Sequence, residues 1–548
     1  MKPNDVPSYA FRGTGEQVQR IQFPYVRSID QSAGQPVRHP VVIVGAGPVG
    51  LTLAIDLAQR GQPVVLVDND DRLSIGSRAL CFAQRTLEIW DRLGVGAPMV
   101  EKGVSWEVGK VFLRDEQVYR FNLLPESGHE RPAFINLQQY YCEAYLVERA
   151  LQQPNIEIRW KSAVVGAETG ADHVRLTLDT PDGEYQIDAD WVVACDGSRS
   201  PMRGHLGLES KGRIFRDRFL IADVKMKADF PTERWFWFDP PFHPGQSVLL
   251  HREPDNVWRI DFQLGWDADP EEEKKPENIV PRVRALLGQD TEFSLEWASV
   301  YTFSCLRMDS FVHGRVLFAG DSAHGVSPFG ARGANSGVQD ADNLGWKLDW
   351  VLKGRAGATL LQTYGCEREY AADENILNST RATDFITPKS EISRLFRDQV
   401  LSLAREHEFA RRIVNSGRLS VPSTLLASPL NTEDTDHFDG RMVPGAPLTD
   451  APIEVDGEPS WLLRALGPDF TLLVFGDVPA WAAKLPHVKA MGVGTDLHDV
   501  QGLVALRLDG LPGTAYLLRP DQHVCARWRQ PTEVAVRAAL NRASGLDT

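Results

Sequence analysis

The residues best placed to do chemistry in this chain are acids set beside glycines at the ends of apolar runs. Gly45-Ala46-Gly47-Pro48-Val49-Gly50 follows Val41-Val42-Ile43-Val44 and opens an apolar stretch of helical period. In such a turn Gly45 admits a tight bend, Gly47 lets backbone approach a pyrophosphate, and Gly50 lets helix and strand pack closely. The helix that starts at Pro48 presents unpaired N–H groups and positive potential to phosphate oxygens. Asp68 ends the next apolar run, 23 residues after Gly45, where a carboxylate can bind ribose hydroxyls. An ordinary glycine turn would leave Asp68 unexplained, so the reading is a bound dinucleotide.

Two further apolar runs end in acidic turns. Trp191-Val192-Val193-Ala194-Cys195 leads into Asp196-Gly197-Ser198-Arg199-Ser200-Pro201-Met202-Arg203, and Val316-Leu317-Phe318-Ala319 leads into Gly320-Asp321. With Asp340-Ala341-Asp342-Asn343-Leu344-Gly345-Trp346-Lys347-Leu348, these motifs fall in the order GxGxxG, DGxxSxxR, GD and D-x-x-N-L-x-W-K-L. Over about residues 40–375 the chain therefore resembles the class A FAD-dependent aromatic hydroxylases, of the phenol, p-hydroxybenzoate and 3-(3-hydroxyphenyl)propionate hydroxylase type. The resemblance implies that Gly320 and Asp321 hold the ribityl chain of FAD, and that Asp196 lies near the pyrophosphate and the reductant's entry. It implies Arg78 near the pyrophosphate and Gln138 against the cofactor. Neighbouring Gln139 leaves that register open, and a polar helix residue facing solvent is the bland alternative for Gln138. Pro328 and Phe329 should flank the isoalloxazine. Gly333-Ala334-Asn335 should open a helix whose N–H groups and dipole stabilise negative charge at flavin N1–C2=O. The commoner family pattern there is G-G-x-G-x-N; this chain carries Ala331-Arg332 before Gly333, which adds a positive charge near the flavin.

No second strand–GxGxxG–helix is present for a resident nicotinamide cofactor. The resemblance accounts for this, since NADH or NADPH then binds transiently across the FAD domain. In the reaction it implies, NAD(P)H reduces FAD, O2 adds at flavin C4a to give a hydroperoxide, and an electron-rich, phenolic ring attacks the distal oxygen. A flavin-dependent halogenase is one alternative, because Trp235-Phe236-Trp237-Phe238-Asp239-Pro240 superficially resembles its WxWxIP motif. A non-catalytic FAD-fold binding protein is the other.

The substrate side is expected from the stretch between about 220 and 303, where short alternating runs read as an antiparallel sheet. Trp258-Arg259-Ile260-Asp261-Phe262-Gln263-Leu264 sets Arg259, Asp261 and Gln263 on one face. Leu250 and Arg252, in a hairpin around Glu253-Pro254-Asp255-Asn256, are expected to share that face, with Trp237 contributing a ring to the pocket. A solvated sheet face fits the same pattern. Asp261 is the nominated base for a phenol and Arg259 is expected near the flavin, whereas His251, of opposite parity, reads as structural.

The elements that must position these residues follow from the rest of the chain. At 548 residues it needs more than one core. Residues 1–39 read as an N-terminal extension, 40–219 as the first part of the FAD-binding domain, and 220–303 as the substrate sheet. Residues 304–415 complete the FAD-binding domain with helices, 416–437 form a linker, and 438–548 a last domain. The fold class is α/β: a Rossmann-like FAD-binding domain with an inserted antiparallel β-sheet substrate domain and a C-terminal thioredoxin-like domain. That last domain has no CxxC, so packing or homodimerisation is expected of it rather than thiol exchange. The net charge of −15 disfavours nucleic acid and anionic lipid. Six scattered cysteines suggest a reducing cytoplasm and no metal site.

Overall fold

A computed structural model describes residues 8–76, 79–228, 230–414 and 419–546. Its central sheet contains the strands Val37–Val44, Val64–Val67, Ile156–Arg159, Tyr185–Ala194 and Val316–Phe318, mutually parallel and adjacent in the order 156–159, 64–67, 37–44, 185–194, 316–318. These strands read as near-continuous apolar runs because helices cover the sheet. The helix Pro48–Gln59 packs against Gly333–Leu352, so the two cofactor-loop helices brace each other. The N-terminal extension is part of this core: Phe11, Val18 and Phe23 are buried, and Phe23 stacks on Trp160 at 4.3 Å.

The second sheet is eight-stranded, in the order His324–Gly325, Ser294–Met308, Ser210–Lys225, Val257–Leu264, Ser247–Arg252, Arg234–Phe238, Val108–Leu113, Glu116–Asn122. Every neighbouring pair is antiparallel except Arg234–Phe238 with Val108–Leu113. Residues 108–122, expected within the FAD-binding part, thus extend the substrate sheet. The pairing partner that claims them lies more than a hundred residues away, beyond the reach of local pattern. One face of the sheet packs on Pro276–Leu287. The other faces the FAD-binding part and the helices Thr359–Ile386 and Glu391–Ala404. A short three-stranded sheet, Cys81–Ala83, Phe134–Asn136 and Val104–Trp106, supplies the polar side chains opposite that second face.

The C-terminal sheet has the order Val488–Val493, Phe470–Phe475, Ala515–Leu518, Val524–Trp528; its first pair is parallel and the others antiparallel. Gly502-Leu503-Val504-Ala505-Leu506-Arg507-Leu508, read as a strand from its apolar run, is instead the helix Leu503–Leu508, burying Val504 and Leu508 and exposing Leu506. Short apolar runs do not distinguish the two periods. The domain is clamped to the FAD-binding part by a fully buried charge network. Arg519 bonds Glu367 at 2.5 and 3.0 Å and Asp521 at 2.5 Å, while Lys347 donates to Glu367 at 2.7 Å.

Candidate active site

The glycine-rich turn has the geometry its spacing demands. Gly45 has φ +105°, and a Cβ there would overlap the Cys195 carbonyl; a Cβ on Gly50 would overlap the Gly45 carbonyl. Gly47 opens onto free space, and the N-terminus of Pro48–Gln59 points into it. Asp68 accepts N–H bonds from Ala46 at 2.6 Å and Asp70 at 2.8 Å, so its carboxylate braces the turn from the end of its strand. Burial raises its pKa. Asp196 accepts the Met202 N–H at 2.9 Å while its Oδ1 is buried without a partner. Arg203, the last residue of that motif, donates to Ser198 O at 2.6 Å and Ser322 O at 2.8 Å, tying the two acidic turns together. Arg78 lies outside the described residues.

Gly320-Asp321-Ser322 forms a single helical turn. Gly320 N–H donates to Asp340 at 2.9 Å, and Asp340 also receives His324 at 2.7 Å and Arg368 at 2.6 Å. Burial alone would raise Asp340, but those two cations hold it down at about 2. A fixed anion behind the turn thus leaves the Asp321 carboxylate exposed to the cleft. Protein walls around that cleft raise the Asp321 pKa by desolvation. Sequence reasoning placed Asp340 only in a family motif; His324 and Arg368 show no signal until the helices pack.

The loop after this turn ends where expected, with the helix Gly333–Leu352 beginning at Gly333. Asn335 is structural: it accepts from Ala83 N at 2.8 Å and Thr86 Oγ1 at 2.7 Å and donates to Cys81 O at 2.9 Å. Ala334 sits in the first turn, half-buried. Pro328 is exposed, whereas Phe329 is buried against Phe219 and Phe303 of the substrate sheet, at 4.8 and 5.2 Å. Arg332 turns toward the helix Thr359–Ile386, donating to Asn375 at 3.1 Å. Ala331 takes φ +52° where a glycine would be unstrained.

The substrate sheet corrects the expected faces. Strand register pairs Arg259 with Asp223 on one side and His251 on the other, and Asp261 with Ile221 and Leu249. Leu250 pairs with Ile260 and Arg252 with Trp258, so both point to the opposite face from Arg259 and Asp261. Trp237 is on that opposite face too, within ring contact of Phe112 and Phe242 in the core under Pro276–Leu287. The hairpin turn, with Asp255 and Asn256 at φ +64° and +59°, sets a register one residue from the assumed one. His251, read as structural, is therefore the residue that joins Arg259 and Asp261. Gln263 shares their face but accepts the Ser247 N–H at 3.0 Å, a bond within the sheet.

On this face charge grades into aromatic surface. Arg259 holds Asp223 at 2.9 and 3.3 Å and lies 3.4 Å from Glu253. His251 Nε2 is 3.7 Å from Asp261. Several buried atoms here lack partners: His251 Nε2, Asp261 Oδ1, both Glu253 carboxyl oxygens and Gln138 Oε1. Gln138 is buried, with Nε2 3.4 Å from Pro254 O, so the solvent-facing alternative falls. Burial, with the Asp223 carboxylate nearby, pushes Glu253 well above the usual range and keeps it protonated. Burial lowers His251 to about 4 and keeps it neutral. Asp261 is raised by burial but lowered more by His251 and the charges of Arg259 and Arg234, and stays ionised.

An open glycine cradle at a helix N-terminus, an orphaned Asp196 oxygen and an Asp321 facing the cleft fit a flavin dinucleotide. The fold and site define a flavoprotein with a single resident dinucleotide. A family model described as "FAD binding domain" matches residues 38–379. The chain is 31% identical over 531 residues to 6-methylpretetramide 4-monooxygenase of Streptomyces rimosus, covering 91% of this chain and 92% of that one. It is 29% identical over 512 residues to "Probable NADH-specific resorcinol 4-hydroxylase" of Rhodococcus jostii, covering 90% and 93%. Its fold matches the flavin-dependent monooxygenase PieE, solved with FAD and substrate, at a TM-score of 0.81 and 21% identity, covering 93% of this chain and all of that one. The chain belongs to the FAD-binding monooxygenase family. It is an FAD-dependent aromatic hydroxylase that draws its electrons from NAD(P)H.

Proposed function

We propose that the substrate is a phenol held between the Pro328–Phe329 loop and the sheet face bearing Phe219 and Phe303, with its hydroxyl toward His251 and Asp261. The supporting observation is that one sheet face carries both the aromatic wall touching Phe329 and the row of unpartnered polar atoms. Bound FAD supplies the activation of O2 and transfer of one oxygen atom to the ring. Residues of this chain do the rest. Asp196, Asp321 and the Gly333 helix end hold the cofactor, and the buried rings exclude water. Neutral His251, backed by ionised Asp261, takes the phenol proton and raises ring nucleophilicity. Arg259, doubly matched by Asp223 and Glu253, is a positioning residue for this row. Arg78 and Gln138 are further cofactor contacts in this reading. The strand order of the C-terminal sheet supports a thioredoxin-like unit that braces the FAD-binding part.

Purified protein should be yellow, and a phenol should accelerate NAD(P)H oxidation with formation of a hydroxylated product. Colourless protein that takes up no FAD, or NAD(P)H oxidation giving only hydrogen peroxide with every phenol tried, would sink the reading. Replacing His251→Gln should cut turnover about 100-fold or more while FAD stays bound; equal turnover would remove it from the proton path.

A further inference from the structure

Arg234 begins the strand Arg234–Phe238 and is 3% exposed. The register step beyond Trp235↔Leu250 sets it beside His251, at the end of the row formed by Asp223, Arg259 and His251. Its Nη1 lies 3.7 Å from Cys81 Sγ, and its Nε is buried with no partner. No carboxylate among the described residues forms an ion pair with it. The contrast with other buried arginines is sharp: Arg85, Arg159, Arg259, Arg368 and Arg519 each hold at least one carboxylate. A buried cation without a counter-charge is costly in an apo protein and useful in a ligand site.

We infer that Arg234 recognises a carboxylate on the aromatic substrate, so that the preferred substrates are hydroxyaryl carboxylic acids; this rests on the phenol reading above. The shape of the site selects that anion. The Phe236 and Trp106 rings lie 5.0 and 5.9 Å from the guanidinium carbon and occupy its surroundings, leaving the N–H edge as the donor surface. A planar two-oxygen anion matches that edge, and the rings accept the apolar stem that carries it. The orphaned His251 Nε2 alongside can add one hydrogen bond without adding charge. The Asn335–Cys81 bond of 2.9 Å ties this end of the row to the helix that faces the flavin.

The test compares hydroxyphenylacetic acids with their carboxamides on FAD-loaded wild type and Arg234→Met, reading binding by perturbation of flavin absorbance and turnover by product. Wild type should bind the acids at least about tenfold more tightly than the amides, a preference weakened by salt. Arg234→Met should lose about 10- to 100-fold on the acids, in KM more than in kcat, and stay within about threefold on the amides. A merely structural arginine would lower both classes together, and that result overturns the inference. So does a wild-type enzyme indifferent to the acid group, a measurement that needs no variant to fold. Should neutral phenols be hydroxylated while acids are ignored, only this inference falls; should no phenol perturb the flavin at all, the phenol reading falls with it.

Discussion

Two acids and a histidine on one sheet face show how neighbours decide protonation at the residue scale. Glu253 and Asp261 are both enclosed, yet Glu253 faces Asp223 and goes up while Asp261 faces His251 and two arginines and goes down. His251, held near 4, should show no imidazole protonation by NMR until the pH falls to about 4. The unfolded chain takes that proton below about 6.5, so this residue's share of stability is present above 6.5 and is lost as pH falls toward 4. Glu253 runs the other way: its raised value makes its share largest in acid and erodes it as pH rises above its ordinary value. Ala331 offers a different single-residue test. Replacing Ala331→Gly removes a Cβ from a left-handed backbone and should raise unfolding stability by about 0.5–1 kcal/mol, read from denaturant midpoints.

The helix Gly333–Leu352 is the element on which the site turns. Its first turn faces the flavin, Asp340 a few turns on anchors Gly320, and Lys347 further along meets the C-terminal domain. Removing the Asp340 charge leaves Arg368 without its carboxylate and loosens the Gly320–Asp321 turn. Asp340→Asn should therefore cost about 3–5 kcal/mol and release FAD, measured by thermal unfolding and by the ratio of flavin to protein absorbance. Retention of full flavin content would show that the turn holds its shape without this anchor.

Across the whole molecule, the C-terminal domain is joined to the flavin domain through charge rather than through grease alone. Glu367 is held by Arg519 and Lys347 and accepts from Ser428, so its carboxylate sits far below the usual range. Burial lowers Lys347 to about 8 against the pull of that same carboxylate. Arg519→Met should destabilise the chain by about 3–5 kcal/mol, because Asp521 then remains buried without its guanidinium. Pairing it with Asp521→Asn should recover part of the loss, and calorimetry would separate this coupling from simple packing. An additive double mutant would mean that the two side chains act independently.

The sequence by itself determined the flavin side of this protein. GxGxxG, Asp196-Gly197, Gly320-Asp321 and the Gly333 helix start are local, each needing only a strand end, a turn and a helix start to be recognised. Apolar runs likewise marked the parallel strands and most of the antiparallel ones. Only the tertiary structure decided the substrate side. Which side chains share a sheet face depends on hairpin register, and a shift of one residue exchanged Arg252 and Leu250 for His251 and Leu249. Membership of Val108–Asn122 in that sheet, and the partners of Asp340, Arg234 and Glu367, are contacts between segments far apart in the chain. Burial then set their charges, because desolvation and a neighbour's charge exist only after the chain has folded.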